Sequence, residues 1–241
     1  MPSLREVADQ VCRGRAALLC LDTCTLLDVV TAPVRASLGA DAVSAASAVV
    51  EAATRAVPAL VPVASPFVPA ERAAGLPKRE KEAADKLRAW FASTSTVSDV
   101  LEVLTLPRVE PPAAAVVVQA LVSLADRLLG VCEVLEPDAD AQMRSLHRLQ
   151  LGTRPCHEFR VSDALHLEHY LALARLVHAG DPNRRCVFVS GNTSDFAENG
   201  SSTRPHPDLV NEFNSAGLEY FPSLSSAIGS LLRTADGGAT T

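Results

Sequence analysis

The chain reads as an α/β protein with a Rossmann-like three-layer α/β/α arrangement and a central, mainly parallel sheet. Three observations predict this. Short apolar runs alternate with longer stretches of helical periodicity, the pattern of strands covered on both faces by crossover helices. Hydrophobic residues fill 48% of the 241 positions, enough for a substantial core. Only 4% are aromatic, so Ala, Val and Leu do the packing, which suits helices against a buried sheet better than a β-sandwich.

Each element follows from its local pattern. A short helix is expected from Leu4 to Cys12. Ala16–Leu21 is apolar and ends at polar Asp22-Thr23, so it reads as a buried strand feeding a helix. Asp41–Ala56 is Ala-rich and helical. The prolines of Val57–Pro69 are hard to place in a central strand; a short strand near Leu60–Val63 is expected, then a helix from about Pro69. Lys78–Phe91, Ala113–Glu133 and Asp138–Leu149 are helical, with a break at Pro107–Pro112. Between about 78 and 150 only Ser95–Leu104 offers a strand, so this region reads as a helical insertion on a single domain spanning 1–241.

Ser162–His178 is the clearest helix. Leu167, Tyr170, Leu171, Ala174 and Val177 share one face, Ser162 reads as its N-cap and Asp163 lies in its first turn. Arg184–Asn192 reads as a second buried strand ending in a polar turn. Asp208–Ala216 is a short helix, Gly217–Phe221 a final strand and Ser223–Leu232 a closing helix. The tail after about 233 reads as disordered.

The formal charge of -6 excludes a global basic field. A metal-dependent enzyme acting on phosphates needs only a local basic rim around central acids. Six cysteines form no CxxC pair, which argues against a zinc site or a disulfide framework. No signal peptide and no membrane-spanning run stands out, so a reducing cytoplasm is the expected setting. Neither GxxxxGK[ST] nor GxGxxG occurs, which removes the main support for nucleotide cofactors.

Sites in open parallel sheets form beyond the carboxyl ends of the strands. Asp22 follows the first strand, Asp195 follows Val187–Ser190, and Asp163 opens the longest helix. Glu71 starts the helix after the Val61–Pro69 segment. Singly, each has an ordinary explanation as a helix cap, a turn residue or a solvated charge. Together they fall where an α/β sheet gathers its strand ends. Converging carboxylates raise one another's pKa unless a cation joins them. Oxygen ligands suit Mg²⁺ or Mn²⁺, and such an ion serves phosphate-ester hydrolysis. Thr23, Ser190 and Asn192 are candidate supporting groups, and Thr193 a further one.

At these residues the sequence resembles the PIN-domain superfamily. LLCLDTCTLLDVV is similar to its opening strand with Asp and a following hydroxyl residue, here Asp22 and Thr23. VSDALHLEHYLAL resembles its later Asp-opened helix, and CVFVSGNTSDF its closing strand and Asn/Asp–x–x–Asp–Phe turn. Arg144 or Arg148, then Gly152 and Pro155, then His206, Pro207 and Leu209 resemble features of a larger PIN-like subgroup. The resemblance covers the first 75 residues and roughly 140 to 225. It implies a Mg²⁺/Mn²⁺-dependent ribonuclease with Asp22, Asp163, Asp195 and Glu71 as catalytic and metal-binding acids. Arg144, Arg148 and Arg154 are candidate phosphate contacts. A homodimer and an inhibitory protein partner are assemblies the resemblance leaves open.

Two departures bear on activity. Asn192 stands where some members have Asp, and Cys24 where Asn is common. They keep open a catalytically inactive PIN-like module that binds RNA or protein. A phosphatase with Asp22 as covalent nucleophile is a further alternative, but it expects Asp at position 24 and a late lysine, and none follows Lys86. His166 and His169, three apart on the Asp163 helix, read better as surface or internally satisfied histidines than as metal ligands. Glu168 on the same helix either approaches the site or faces solvent.

Overall fold

A computed structural model describes residues 1–14, 16–35, 41–103, 113–156, 161–199 and 203–236; of 94–103 and 232–236 it describes the backbone alone. Five strands form one all-parallel sheet: β1 (Ala17–Leu21), β2 (Leu60–Ala64), β3 (Glu133–Val134), β4 (Cys186–Val189) and β5 (Leu218–Phe221), in the order β3-β2-β1-β4-β5. The helices are α1 (Leu4–Gly14), α2 (Thr23–Thr31), α3 (Asp41–Ala53), α4 (Val68–Val103), α5 (Ala114–Gly130), α6 (Ala139–Leu151), α7 (Val161–Gly180), α8 (Thr193–Phe196), α9 (Pro207–Ala216) and α10 (Leu224–Asp236). The α/β class with a parallel sheet between helical layers is as the sequence indicates.

Side chains alternate across the sheet and build two cores. Leu19, Leu21, Leu60, Val187 and Val189 face α2, α3, α4, α5 and α10. Leu18, Cys20, Val61, Val63, Cys186, Phe188 and Tyr220 face α1, α7 and α9. On α7 the predicted face is buried throughout, from Leu167 to Val177.

Several expectations need correction. Ser95–Leu104 is not a strand: α4 continues through Val103, and Leu104 lies outside the described residues. One helix runs from Val68 through Pro77, where the sequence suggests two segments. The region from 78 to 150 supplies β3, an edge strand too short to carry a period-two signal. Its Leu87, Val118, Val122 and Leu128 belong to the first core. Helix α7 begins at Val161, so Ser162 sits inside its first turn and not at the cap. Helix α10 continues to Asp236, past the expected start of the tail; 237–241 and the Pro107–Pro112 break lie outside the described residues.

Pro62 sits inside β2, yet the sheet tolerates it for a definite reason. Backbone groups along a parallel strand point alternately to either neighbour. Ala59 accepts from Ala17 on the β1 side, and Ala64 accepts from Leu135 on the β3 side. By that alternation Pro62 faces β3, whose pairing covers only Val63 and Ala64. The missing N–H of Pro62 therefore falls where no ladder bond is required.

The strand order reverses at β1, with β2 on one side and β4 on the other. A crevice beyond the carboxyl ends of β1 and β4 is the expected ligand position in such a sheet.

Candidate functional site

Asp22 leaves the end of β1 in extended conformation and caps α2: its Oδ1 accepts from the Thr23 backbone N–H at 2.7 Å. Its Oδ2 accepts from the Ser190 hydroxyl at 2.6 Å and the Cys24 thiol at 3.1 Å. Ser190 follows β4, so this bond closes the switch point between the two strands. Its own Oγ accepts from the Asn192 N–H at 3.1 Å, which fixes the turn into α8. Gly191 lies close to α2 there: a Cβ would stand 2.8 Å from Asp28 Oδ2, so the Asp28 carboxylate would have to shift to admit one.

Glu71 enters in the first turn of α4. Its Oε2 accepts from the Thr23 hydroxyl at 2.7 Å and pairs with His166 Nε2 at 2.8 Å. His166 is 1% exposed, with Nδ1 2.5 Å from Ser65 Oγ and Nε2 4.0 Å from Asp22 Oδ1. Burial is the largest single influence and works against charge on both partners, but their mutual bond together with the neighbouring hydroxyls and carboxylates outweighs it. Glu71 is held below the usual carboxylate range, and His166 is raised by Glu71, Asp22 and Asp163.

Asp163 enters in the first turn of α7 and Asp195 on α8. The Asn192 amide spans them, donating to Asp163 Oδ2 at 3.1 Å and to Asp195 Oδ2 at 2.7 Å. Asp195 is almost fully buried, with Arg154 Nη1 3.5 Å from its Oδ1. Burial, then the charges of Asp22 and Asp195, push Asp163 up to about 7; Glu71 adds to this and His166 opposes it. Asp28, one helical stretch along α2, is pushed up to about 6, chiefly by burial.

All four predicted acids thus reach one cleft from β1, α4, α7 and α8. Ser190 touches one of them, and Thr23 and Asn192 touch two each. Thr193 shapes the turn, its N–H donating to Gly191 O at 2.9 Å. The arginines divide. Arg154 lies against Asp195 and donates to Ser194 O at 2.6 Å. Arg148 is a correction: it is buried, bonded to Glu168 Oε1 at 2.5 Å, to Glu212 and to Arg154 O, so its guanidinium ties α6 to α7 and α9. Arg144 Nε is likewise held by Glu168 at 2.8 Å. Glu168 neither approaches the acids nor faces solvent; it is the buried anion of this network.

His166 is internally satisfied, as expected, but its partners include Glu71, a predicted acid. The sequence signal for this was its i+3 offset from Asp163, which places both on one helix face, and its apolar neighbours Leu165 and Leu167. His169 is internally satisfied, as expected: Nδ1 contacts Leu165 O at 2.7 Å and Nε2 accepts from the Asp138 N–H at 3.1 Å.

The donor set suits a divalent cation in chemistry, since the burial and neighbouring carboxylates that push Asp163 up are what an ion relieves. In the present rotamers, no group of three or more His, Cys, Asp or Glu among the described residues is set to hold a metal. Among those residues, too, no helix is long and apolar enough to cross a membrane. No protein-family pattern, curated protein or solved structure matches the chain at a significant level.

Proposed function

We propose that the chain is a PIN-like, divalent-metal-dependent ribonuclease that hydrolyses phosphodiester bonds. One observation carries this reading: four acids from separate elements meet at the topological switch point, where burial and then the neighbouring carboxylates push Asp163 to about 7. RNA as substrate, products with 5′-phosphate and 3′-hydroxyl ends, and a cytoplasmic setting rest on the PIN-like resemblance and on six cysteines that are all free.

In this reading Asp22, Asp163 and Asp195 hold Mg²⁺ or Mn²⁺, with Glu71 as the fourth acid of the cleft. The bound ion supplies an activated water and neutralises charge on a phosphoryl oxygen. Thr23 N–H and Ser190 Oγ fix the Asp22 carboxylate in place. Helices α2, α4 and α7 all begin at the cleft, and their N-terminal dipoles favour a phosphate there. Arg154 brings a guanidinium to this cluster by its contact with Asp195.

Asn192 favours one other reading, a catalytically inactive module that binds RNA or protein. Its amide already bonds one oxygen of each of Asp163 and Asp195 without an ion. The test is cleavage of a labelled RNA with Mn²⁺ by the wild type beside Asp22→Asn and Asp163→Asn. The nuclease reading expects each substitution to lower the rate at least about 100-fold, the scale of removing a charge-stabilising group. RNA binding without cleavage supports the inactive module; equal cleavage by wild type and variants means the site is misassigned.

A further inference from the structure

Arg148 is turned away from the cleft, yet it holds the arginine that remains there. This inference rests on the phosphodiester reading above and concerns what sets the guanidinium that meets the substrate.

The chain leaves α6 through Gly152, whose φ of 61° caps the helix in the left-handed conformation. Arg148 grips the turn that follows through both main chain and side chain. Its carbonyl accepts from the Thr153 N–H at 3.1 Å, and its Nη1 donates to the Arg154 carbonyl at 2.8 Å. The Cys156 N–H closes the turn on Thr153 O at 2.8 Å. Arg148 is itself fixed. Its Nε donates to Glu168 Oε1 at 2.5 Å, and its Nη2 pairs with Glu212. The second Glu168 oxygen takes Arg144 Nε at 2.8 Å. The three nitrogens of one buried guanidinium thus reach α7, α9 and the turn. A lysine, with one nitrogen, lacks the fork to span them. Buried ion pairs gain little net stability over apolar packing of similar volume, so geometry is the better account of this one.

With its carbonyl held, Arg154 sends its side chain across to α8. Nη1 donates to Ser194 O at 2.6 Å and lies 3.5 Å from Asp195 Oδ1, while Nε stands 3.9 Å from Asp208 Oδ2. Nη2 meets no acceptor among the described residues, and the side chain is 22% exposed. One edge of the guanidinium is therefore anchored, and its remaining donors suit a phosphate oxygen. Asn192 joins the neighbouring Asp195 to Asp163, so a phosphate taken there lies against the acids.

We infer that Arg148 is a positioning residue for phosphate binding. By clamping the 152–156 turn it holds Arg154, anchored through Nη1, to take a backbone phosphate of the substrate through Nη2. Glu168 and Glu212 hold Arg148 and do not touch the substrate.

The test uses a fluorescein-labelled single-stranded RNA and the full chain at several KCl concentrations. Affinity is read as KM under Mn²⁺ where the RNA is cleaved, and as Kd by anisotropy where it is only bound. Losing one phosphate contact to a single strand lowers the slope of log affinity against log salt by about 0.7. Arg154→Ala is expected to show that loss and about 10-fold weaker affinity, the scale of a hydrogen bond to a charged group. Arg148→Lys keeps the net charge and, shown folded by circular dichroism, is expected to match it. The double variant is expected to be weaker than Arg154→Ala by less than about 2-fold, because one residue acts through the other. Should Arg148→Lys fail to fold, Glu212→Ala replaces it, since Glu212 is 34% exposed and its removal leaves Glu168 paired. Its slope is expected to fall although its net charge becomes less negative. Arg175→Ala removes an exposed guanidinium about 18 Å along α7 from Asp163 and is expected to keep the wild-type slope. Wild-type slope and affinity in Arg154→Ala, or in the folded clamp variant, overturns the inference and leaves the phosphodiester reading standing. Losses that add in the double variant do the same. A wild type that neither cleaves nor binds the RNA removes that reading itself.

Discussion

The two helical layers are filled with different side chains, and the acids divide between them. The chain holds seven Phe, one Trp and two Tyr. Five of these rings, Tyr170, Phe188, Phe196, Phe213 and Tyr220, pack together beneath β4, α7, α8 and α9. Phe188 is central, with neighbours at 5.0 to 6.2 Å. Asp163 and Asp195 stand on this layer. Asp22 and Glu71 stand on α2 and α4, which pack through Leu26, Val29, Val30, Val68 and Leu87. Among the described residues that second layer also opens a cavity of about 800 Å³ beside Leu87, Trp90 and Leu121. Aromatic rings bury large areas with few rotatable bonds. Half the cleft therefore rests on a stiff aromatic support and half on a looser aliphatic one.

The largest expected effect tests that contrast in stability. Phe188→Ala removes the hub of the ring cluster and is expected to cost about 3–5 kcal/mol. Leu87→Ala removes a buried side chain that already borders open space, so it is expected to cost roughly 2 kcal/mol, the low end for such a change. Urea unfolding of both variants measures the pair. Equal losses would mean that the two layers are equally well packed.

A second prediction sharpens the contrast through pH, because the two ends of the cleft titrate in opposite senses. Asp163 is about 7 when folded against an ordinary 3.8, so the folded state binds its proton more tightly. Its contribution to stability is present below about pH 4 and is lost as pH rises toward 7. Without divalent ions, Asp163→Asn is expected to be more stable than the wild type by roughly 2–4 kcal/mol at pH 8 and no more stable at pH 4. Glu71 runs the other way. Its lowered folded value gives stability that is present above the ordinary 4.5 and lost as pH falls through the lowered value. Glu71→Gln is therefore expected to lose stability at pH 8. Urea midpoints at the two pH values decide both signs; a gain for Asp163→Asn that is the same at pH 4 and 8 would sink the electrostatic account.

The same contrast explains what the sequence could show. Asp22 and Asp195 were legible because each follows a buried strand at a turn or helix start, and Asp163 because it opens a helix with an apolar face, all one-dimensional signals. Glu71 was legible from the helix that follows β2. The partners were not, because each is a long-range contact: Ser65 and Glu71 lie 101 and 95 positions from His166. Arg148 misled for a related reason. Its sequence proximity to Asp163 suggested a phosphate contact, but it lies on the buried face of α6 and pairs with Glu168 and Glu212. Strand β3, at two residues, is defined by its pairing with Val63 and Ala64 more than by its own composition.

The smallest expected effect closes the comparison on the aliphatic side. Trp90 is the chain's single tryptophan, 62% exposed, lying beside the cavity with Phe91 at 5.3 Å between ring centroids. A large ring left mostly in water has little transfer energy to lose. Trp90→Ala is expected to change unfolding free energy by no more than about 0.5 kcal/mol, the range of an ordinary surface substitution. Intrinsic fluorescence of the wild type should accordingly show the red-shifted emission of a solvated indole. A blue-shifted indole together with a loss above about 2 kcal/mol, the scale of a buried side chain, would mean that the cavity is filled in solution. The aliphatic layer would then be as tightly packed as the aromatic one, and the proposed difference in support beneath the two halves of the cleft would disappear.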